Sequence, residues 1–206
     1  MDLNRNSAKP IVLLAVSAFL FIHSARTLAR EQNKVDPGNL IHARLIGRQG
    51  ARTMAFAISS TSFQNGGEIP RQFTCDAADV SPQLSWTDPP AGTKSFALIA
   101  DDPDAPVGTW THWVIFDLPA QTTSLQEGVT KVGEVPGGGR QGRNDFRKIG
   151  YGGPCPPPGK PHRYFFKFYA LDRMLNLKPG ASKQEVEQAM QGRILGTAEL
   201  MGKYQR

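Results

Sequence analysis

The chain has 206 residues, enough for one domain with a sizeable core and modest extensions but not for two full domains. Hydrophobic residues at 39% and charged ones at 20% describe an ordinary globular protein, and 21 Gly with 16 Pro favour many turns and a β-rich fold over long helices. The formal charge of +6 sits in residues 1–53, where eight Lys/Arg outweigh three Asp/Glu; residues 54–206 hold 16 basic and 15 acidic side chains and so lack the basic face that nucleic-acid binding requires.

At the N-terminus, Arg5 and Lys9 precede a twelve-residue apolar run, Ile11 to Ile22, which is the architecture of a signal peptide. The run is shorter than the roughly 18–20 residues needed to span a bilayer. Residues 1–29 therefore read as a signal peptide, with an N-terminal membrane anchor as the alternative, because neither His23-Ser24-Ala25 nor Thr27-Leu28-Ala29 is a clean small-x-small cleavage site. Residues 30–53 are polar and basic and read as a linker, leaving 54–206 as the domain. The expected location is periplasmic or secreted; translation from Met54 would make the protein cytoplasmic instead.

From Met54 onward, short alternating runs are separated by turn chemistry, the pattern of antiparallel sheets. Strands are predicted in MAFAISSTSF, QLSW, SFALIA, HWVIFDL and HRYFFKFYALD. HWVIFDL is nearly apolar on both faces, which suits a central strand between two packed layers. In HRYFFKFYALD, Tyr164, Phe166 and Phe168 share one face and Arg163, Phe165, Lys167 and Tyr169 the other. Between these two strands lies a long Gly/Pro-rich stretch, Val132 to Pro161, with no predicted regular element; an ordered loop of that length in a small domain is usually functional. At the C-terminus, Ser182 and Glu185 form a capping box, and Val186, Ala189, Met190, Ile194, Ala198 and Met201 recur at helical spacing. A helix docked on the β core is expected there, with Gly192 and Gly196 as interruptions.

The stretch DDPDAP, Asp101 to Pro106, sets three carboxylates within four residues into a stiff turn, since each proline fixes its own φ and restrains the residue before it. Ionised together they repel unless cations, donors or a ligand compensate. His112 begins one predicted strand and His162 another, each after a loop rich in Gly and Pro. If those strands are neighbours and start at one edge, both imidazoles and the carboxylates converge on one pocket mouth, where a carboxylate can orient an imidazole through one ring nitrogen and leave the other to meet an anionic oxygen. The alternative is a solvated turn capping a strand end. GYGGPCPPP, residues 150–158, adds backbone amides and a stiff wall but is no phosphate-binding P-loop, because GK[ST] and a following helix are missing. There is no GxSxG elbow, and Cys155 between two prolines is a poor nucleophile. Cys75 and Cys155 suffice for one disulfide in an exported protein, or for two buried thiols. No Cys/His spacing suggests a metal, and no cofactor is implied.

SPQLSW, DDPDAP, THWVIFDLP and GYGGPCPPPGKPHRYFFKFYALD together resemble the phosphatidylethanolamine-binding protein family, in particular its bacterial Raf-kinase-inhibitor-like branch, over about residues 56–205. The resemblance implies a mainly β fold, a sandwich of antiparallel sheets in a Greek-key arrangement with a C-terminal helix. It implies a small anion pocket built by Asp102, His112, Pro154, His162 and Tyr164, with Asp104, Ala105, Pro106 and Gly153 shaping the motif. GRNDF is present at Gly142 to Phe146, but Arg147 and Lys148 follow where smaller residues are more usual. These two cations read as a solvated loop, or as an attraction to anions or acidic membrane surfaces.

The function expected is therefore non-enzymatic binding of a phosphate-bearing or other small anionic ligand, such as a phospholipid head group. The alternatives are a regulatory module that inhibits a kinase or protease and, more weakly, a hydrolase or isomerase using His112 and His162 as acid and base. Expected partners are the anionic ligand and, as options, a protein, a membrane surface or a second copy of the chain, with nucleic acid excluded.

Overall fold

Alternating side chains sort the strands into two layers with a helix on the far side. The computed structural model describes residues 55–206, so the leader 1–29, the linker 30–53 and Met54 lie outside the described residues. The small sheet contains β1 (Ala57–Ser59), β2 (Leu84–Thr87) and β5 (Ser124–Leu125), in the order β1-β2-β5. The large sheet contains β3 (Ser95–Asp102), β4 (Trp110–Pro119), β6 (Arg140–Gln141), β7 (His162–Leu171) and β8 (Ile194–Tyr204), in the order β6-β4-β3-β7-β8. All pairings within the two sheets are antiparallel. The one α-helix among the described residues, α1, spans Lys183–Met190.

The main core lies between the sheets. Phe96, Leu98 and Ala100 of β3, Trp113 and Ile115 of β4, and Tyr164, Phe166 and Phe168 of β7 meet Ile58, Leu84 and Trp86 of the small sheet. Phe96 and Phe168 stack at 5.2 Å, and Trp86 sits 4.3 Å from Phe168, so aromatic packing as well as area holds the layers together. The opposite residues of the same strands, Ala97, Ile99, Val114 and Phe116, pack with Val186 and Met190 of α1 in a second core. Being covered on both faces explains why β4 reads as a near-continuous apolar run. The middle strand of the large sheet is β3, however; β4 lies beside it, flanked on its other side only by the two-residue β6.

Three expectations need correction. The helix stops at Met190: Gly192 adopts φ +68, a left-handed position that ends the helix, and residues from Ile194 onward form β8. Ala198, Leu200 and Tyr204 follow a period of two into the main core, while Ile194 is 44% exposed, so the edge offered by β7 overrides the helical spacing. The second correction concerns Asp101 and Asp102, which end β3 as buried strand residues instead of lying in the turn. The third is that the Gly/Pro-rich stretch contains β6, pairing Gln141 with Ile115 and Arg140 with Phe116.

Candidate functional site

The two histidine strands flank the aspartate strand. β4 and β7 each run antiparallel to β3, so both begin at the end where β3 finishes with Asp102. This register brings His112, His162 and the DPDAP turn to one end of the sheet. The β3–β4 ladder pairs Ala100 with Trp113 and then Asp101 with Thr111, leaving His112 as the extra residue of a β-bulge. Through that bulge two consecutive side chains reach the inner face: Trp113 packs against Tyr151, and His112 lies edge-on to Tyr164 at 5.1 Å. A regular strand would have sent His112 towards α1.

Each of the three crowded carboxylates has its own cation or donor. Asp102 Oδ2 accepts from His162 Nδ1 at 2.8 Å, and its Oδ1 accepts from the Asp104 N–H at 2.8 Å, which closes the turn over the strand end. Asp104 receives a fork of hydrogen bonds from the Arg163 backbone and guanidinium at 2.7–2.9 Å. The Arg163 hydrogen bond is the main cause that holds the Asp104 carboxyl down at about 2. Asp101 points to the opposite face, where Lys167 and Lys183 reach its Oδ2 at 3.1 and 2.9 Å.

His112 is buried and shares Nδ1 with the Gly152 carbonyl at 2.7 Å. Burial holds its pKa below the usual histidine value, against the Gly152 hydrogen bond, so the ring is neutral at neutral pH with Nδ1 donating and Nε2 accepting. Two further polar groups near it lack partners: Tyr164 Oη and Trp110 Nε1 are buried and make no hydrogen bond. Burial first, and the nearby Asp102 charge second, push the Tyr164 hydroxyl pKa upward, so it stays a neutral phenol.

A cavity of about 180 Å³ opens between these groups. Asp102, Ala105, Pro106, His112 and His162 line it, and its walls are otherwise supplied by Val107, Trp110, Phe146, Cys155, Pro156 and Pro157. Pro154, Gly153 and Tyr164 do not line it. Pro154 lies behind the wall, its carbonyl accepting from Cys75 N–H; the Gly153 N–H donates to Asp79 Oδ1 at 2.6 Å; Tyr164 backs His112. Asp104 stands at the rim, tied to Arg163. Trp110 and Phe146, which pack edge to face at 5.4 Å, were not singled out from the sequence; the tryptophan beside HWVIFDL was the available signal.

The wall is pinned from outside. Cys75 and Cys155 form a disulfide, which settles the alternatives the two cysteines left open and leaves Cys155 no thiol with which to act as a nucleophile. Tyr151 Oη donates to the Phe73 carbonyl at 2.7 Å in the same region. A Cβ on Gly153 would collide with the Phe73 carbonyl oxygen, so only glycine lets the two segments approach this closely.

The family model described as phosphatidylethanolamine-binding protein matches residues 59–205. A UPF0098 protein of Aquifex aeolicus is 53% identical over 169 residues, covering 81% of this chain and 96% of the relative. A UPF0098 protein of Methanothermobacter thermautotrophicus is 52% identical, covering 72% of this chain and 98% of its own length. Among solved structures, the phosphatidylethanolamine-binding protein homolog CT736 of Chlamydia trachomatis matches with a TM-score of 0.68 at 39% identity, covering 74% of this chain and 98% of that one. E. coli YbcL, described as a member of the mammalian PEBP family, also gives 0.68, at 34% identity, covering 74% and 99%. With the β-sandwich, the aspartate–histidine pair and a family match over most of its length, this chain belongs to the phosphatidylethanolamine-binding protein family.

Proposed function

We propose that the protein is a non-enzymatic binding module for a small phosphate-bearing or other anionic ligand, held in the cavity between Asp102, His112 and His162. The observation that carries this reading is the Asp102–His162 pair and His112 on the walls of one largely apolar cavity into which few polar groups project. Asp102 fixes the His162 ring through Nδ1, so the opposite nitrogen is the one available to a ligand oxygen. The unpartnered Trp110 N–H is a second donor at the same wall. The accepting Nε2 of His112 asks for a hydrogen in return, which a singly protonated phosphate or an ammonium-bearing head group supplies. Binding of this kind needs donors and shape only, and the cavity wall includes no free Ser, Thr or Cys to act as a nucleophile.

The reading is tested by following the imidazole resonances of the full chain during titration with inorganic phosphate, O-phosphorylethanolamine and acetate, in wild type and in Asp102→Asn. Saturable shifts of His112 and His162 that the variant loses support it. Resonances that ignore all three anions overturn it.

We further propose that the folded part works in the periplasm or outside the cell. The support is the Cys75–Cys155 disulfide, since such bonds persist mainly in oxidising compartments, together with the apolar run Ile11 to Ile22. N-terminal sequencing and thiol trapping of fractionated cells test this; a cytosolic protein beginning at Met54 with reduced thiols refutes it.

A further inference from the structure

A second cavity of about 290 Å³ lies behind the first, and the two share Phe146 and Cys155 as their partition. Its apolar surfaces include the Phe146 and Tyr151 rings, over a base formed by Gly152 and Gly153. Phe146 can lie against that base only because residue 152 is glycine: a Cβ there would sit 2.7 Å from the ring. The charged groups of this cavity do not cancel. Asp79 spends one oxygen on the Gly153 N–H and the other on Lys131, at 2.6 Å each. Lys148, also in the lining, makes no ion pair among the described residues.

We propose that the two cavities form one bipartite site for a phosphomonoester whose organic part is an apolar ring or short chain ending in a second acid. This rests on the anion-binding reading of the first cavity. The oxyanion end occupies that cavity, the apolar stem passes Phe146 and lies against Tyr151, and the terminal carboxylate reaches Lys148. Size supports it: the first cavity alone is below the ~300–1,000 Å³ of typical small-molecule sites, and only the two together reach that range. Charge supports it as well, since one uncompensated ammonium beside apolar walls favours an acid at the end of an apolar group. The Arg147-Lys148 pair that departs from the expected small residues thereby acquires a local task for its second member.

The test compares inorganic phosphate, phenyl phosphate and 4-carboxyphenyl phosphate by calorimetry on the full chain. Burial of the ring should raise affinity about tenfold over inorganic phosphate, and the carboxylate should add a further factor of about three to five. The decisive quantity is the ratio of the 4-carboxyphenyl to the phenyl phosphate affinity. It should fall to about one in Lys148→Met and below one in Lys148→Glu, a comparison that cancels any general change in the protein. Equal binding of all three phosphates by the wild type overturns the bipartite site while leaving the first cavity intact, as does a ratio insensitive to both variants. Failure of inorganic phosphate and both esters to bind overturns the first-cavity reading and this inference together.

Discussion

Replacing Cys75 and Cys155 together by serine removes a cross-link between residues 80 apart, and its cost can be worked out from that separation. Loop-closure entropy gives about 4.5 kcal/mol at 25 °C for a closed loop of this size, although measured losses more often fall at about 2–4 kcal/mol. The folded state should survive the change, because the joined segments are also held by Cys75 N–H to the Pro154 carbonyl, Gly153 N–H to Asp79 and Tyr151 Oη to the Phe73 carbonyl. The effect therefore falls on the unfolded chain, which regains freedom and expands. Urea unfolding of the oxidised wild type and of the double variant should show a lower midpoint with an equal or slightly larger slope, and the melting temperature should drop by roughly 5–15 °C. A loss below about 1 kcal/mol would refute the reasoning, as would two titratable thiols in the folded, oxidised wild type.

Three other substitutions probe the same region and the site rim. Tyr151→Phe leaves the buried Phe73 carbonyl without its partner and should cost about 1–2 kcal/mol in chemical denaturation. Gly153→Ala forces a methyl against the Phe73 carbonyl and within 2.9 Å of Thr74 Cα, so a loss of about 2–3 kcal/mol is expected, with a shifted His112 resonance because the neighbouring Gly152 carbonyl moves. Asp104→Asn removes a carboxylate whose folded pKa of about 2 lies below its ordinary 3.8, chiefly through the Arg163 hydrogen bond. A lowered folded pKa means stabilisation present above about pH 4 and lost as pH falls through 2. The variant should accordingly melt below wild type at pH 6 and converge with it near pH 2; a difference that grows on acidification contradicts the pairing.

How much of this was legible depended on whether the signal was local. The inner face of β7 was visible because Tyr164, Phe166 and Phe168 alternate with Arg163, Phe165, Lys167 and Tyr169, two of them cations, and the structure puts the all-aromatic face in the main core. The capping box was equally local: Ser182 Oγ accepts from the Glu185 N–H and the Glu185 carboxylate accepts from the Ser182 N–H. What failed was the continuation of α1. Ala198, Leu200 and Met201 have good helix propensity, but β7 presents a ten-residue edge, and propensity yields to a ladder of that length. The bulge at His112 was not legible either, since it is a mismatch between two strands and neither strand's pattern records it. Along the proline run the sequence does not distinguish which ring faces the cavity: Pro156 and Pro157 line it, while Pro154 is buried beside the Cys75 segment, whose N–H its carbonyl accepts.

Asp101 and Asp102 show why the crowded acidic stretch is stable. The two are adjacent on a strand, so their side chains leave on opposite faces, and the repulsion expected of neighbouring carboxylates is relieved by the sheet between them. On the α1 face, Asp101 is 1% exposed and meets Lys167 of β7 and Lys183 of the helix's first turn, so it ties the helix to the sheet. On the inner face, Asp102 meets His162, the first residue of β7, and Asp104 in the turn meets Arg163, the next. Three successive acids are thus matched by cations and donors drawn mainly from one neighbouring strand. Asp102 keeps its compensating group, His162, at the wall of the first cavity. Asp101 holds the scaffold, Asp104 holds the turn, and the carboxylate between them is left to orient an imidazole at the cavity wall.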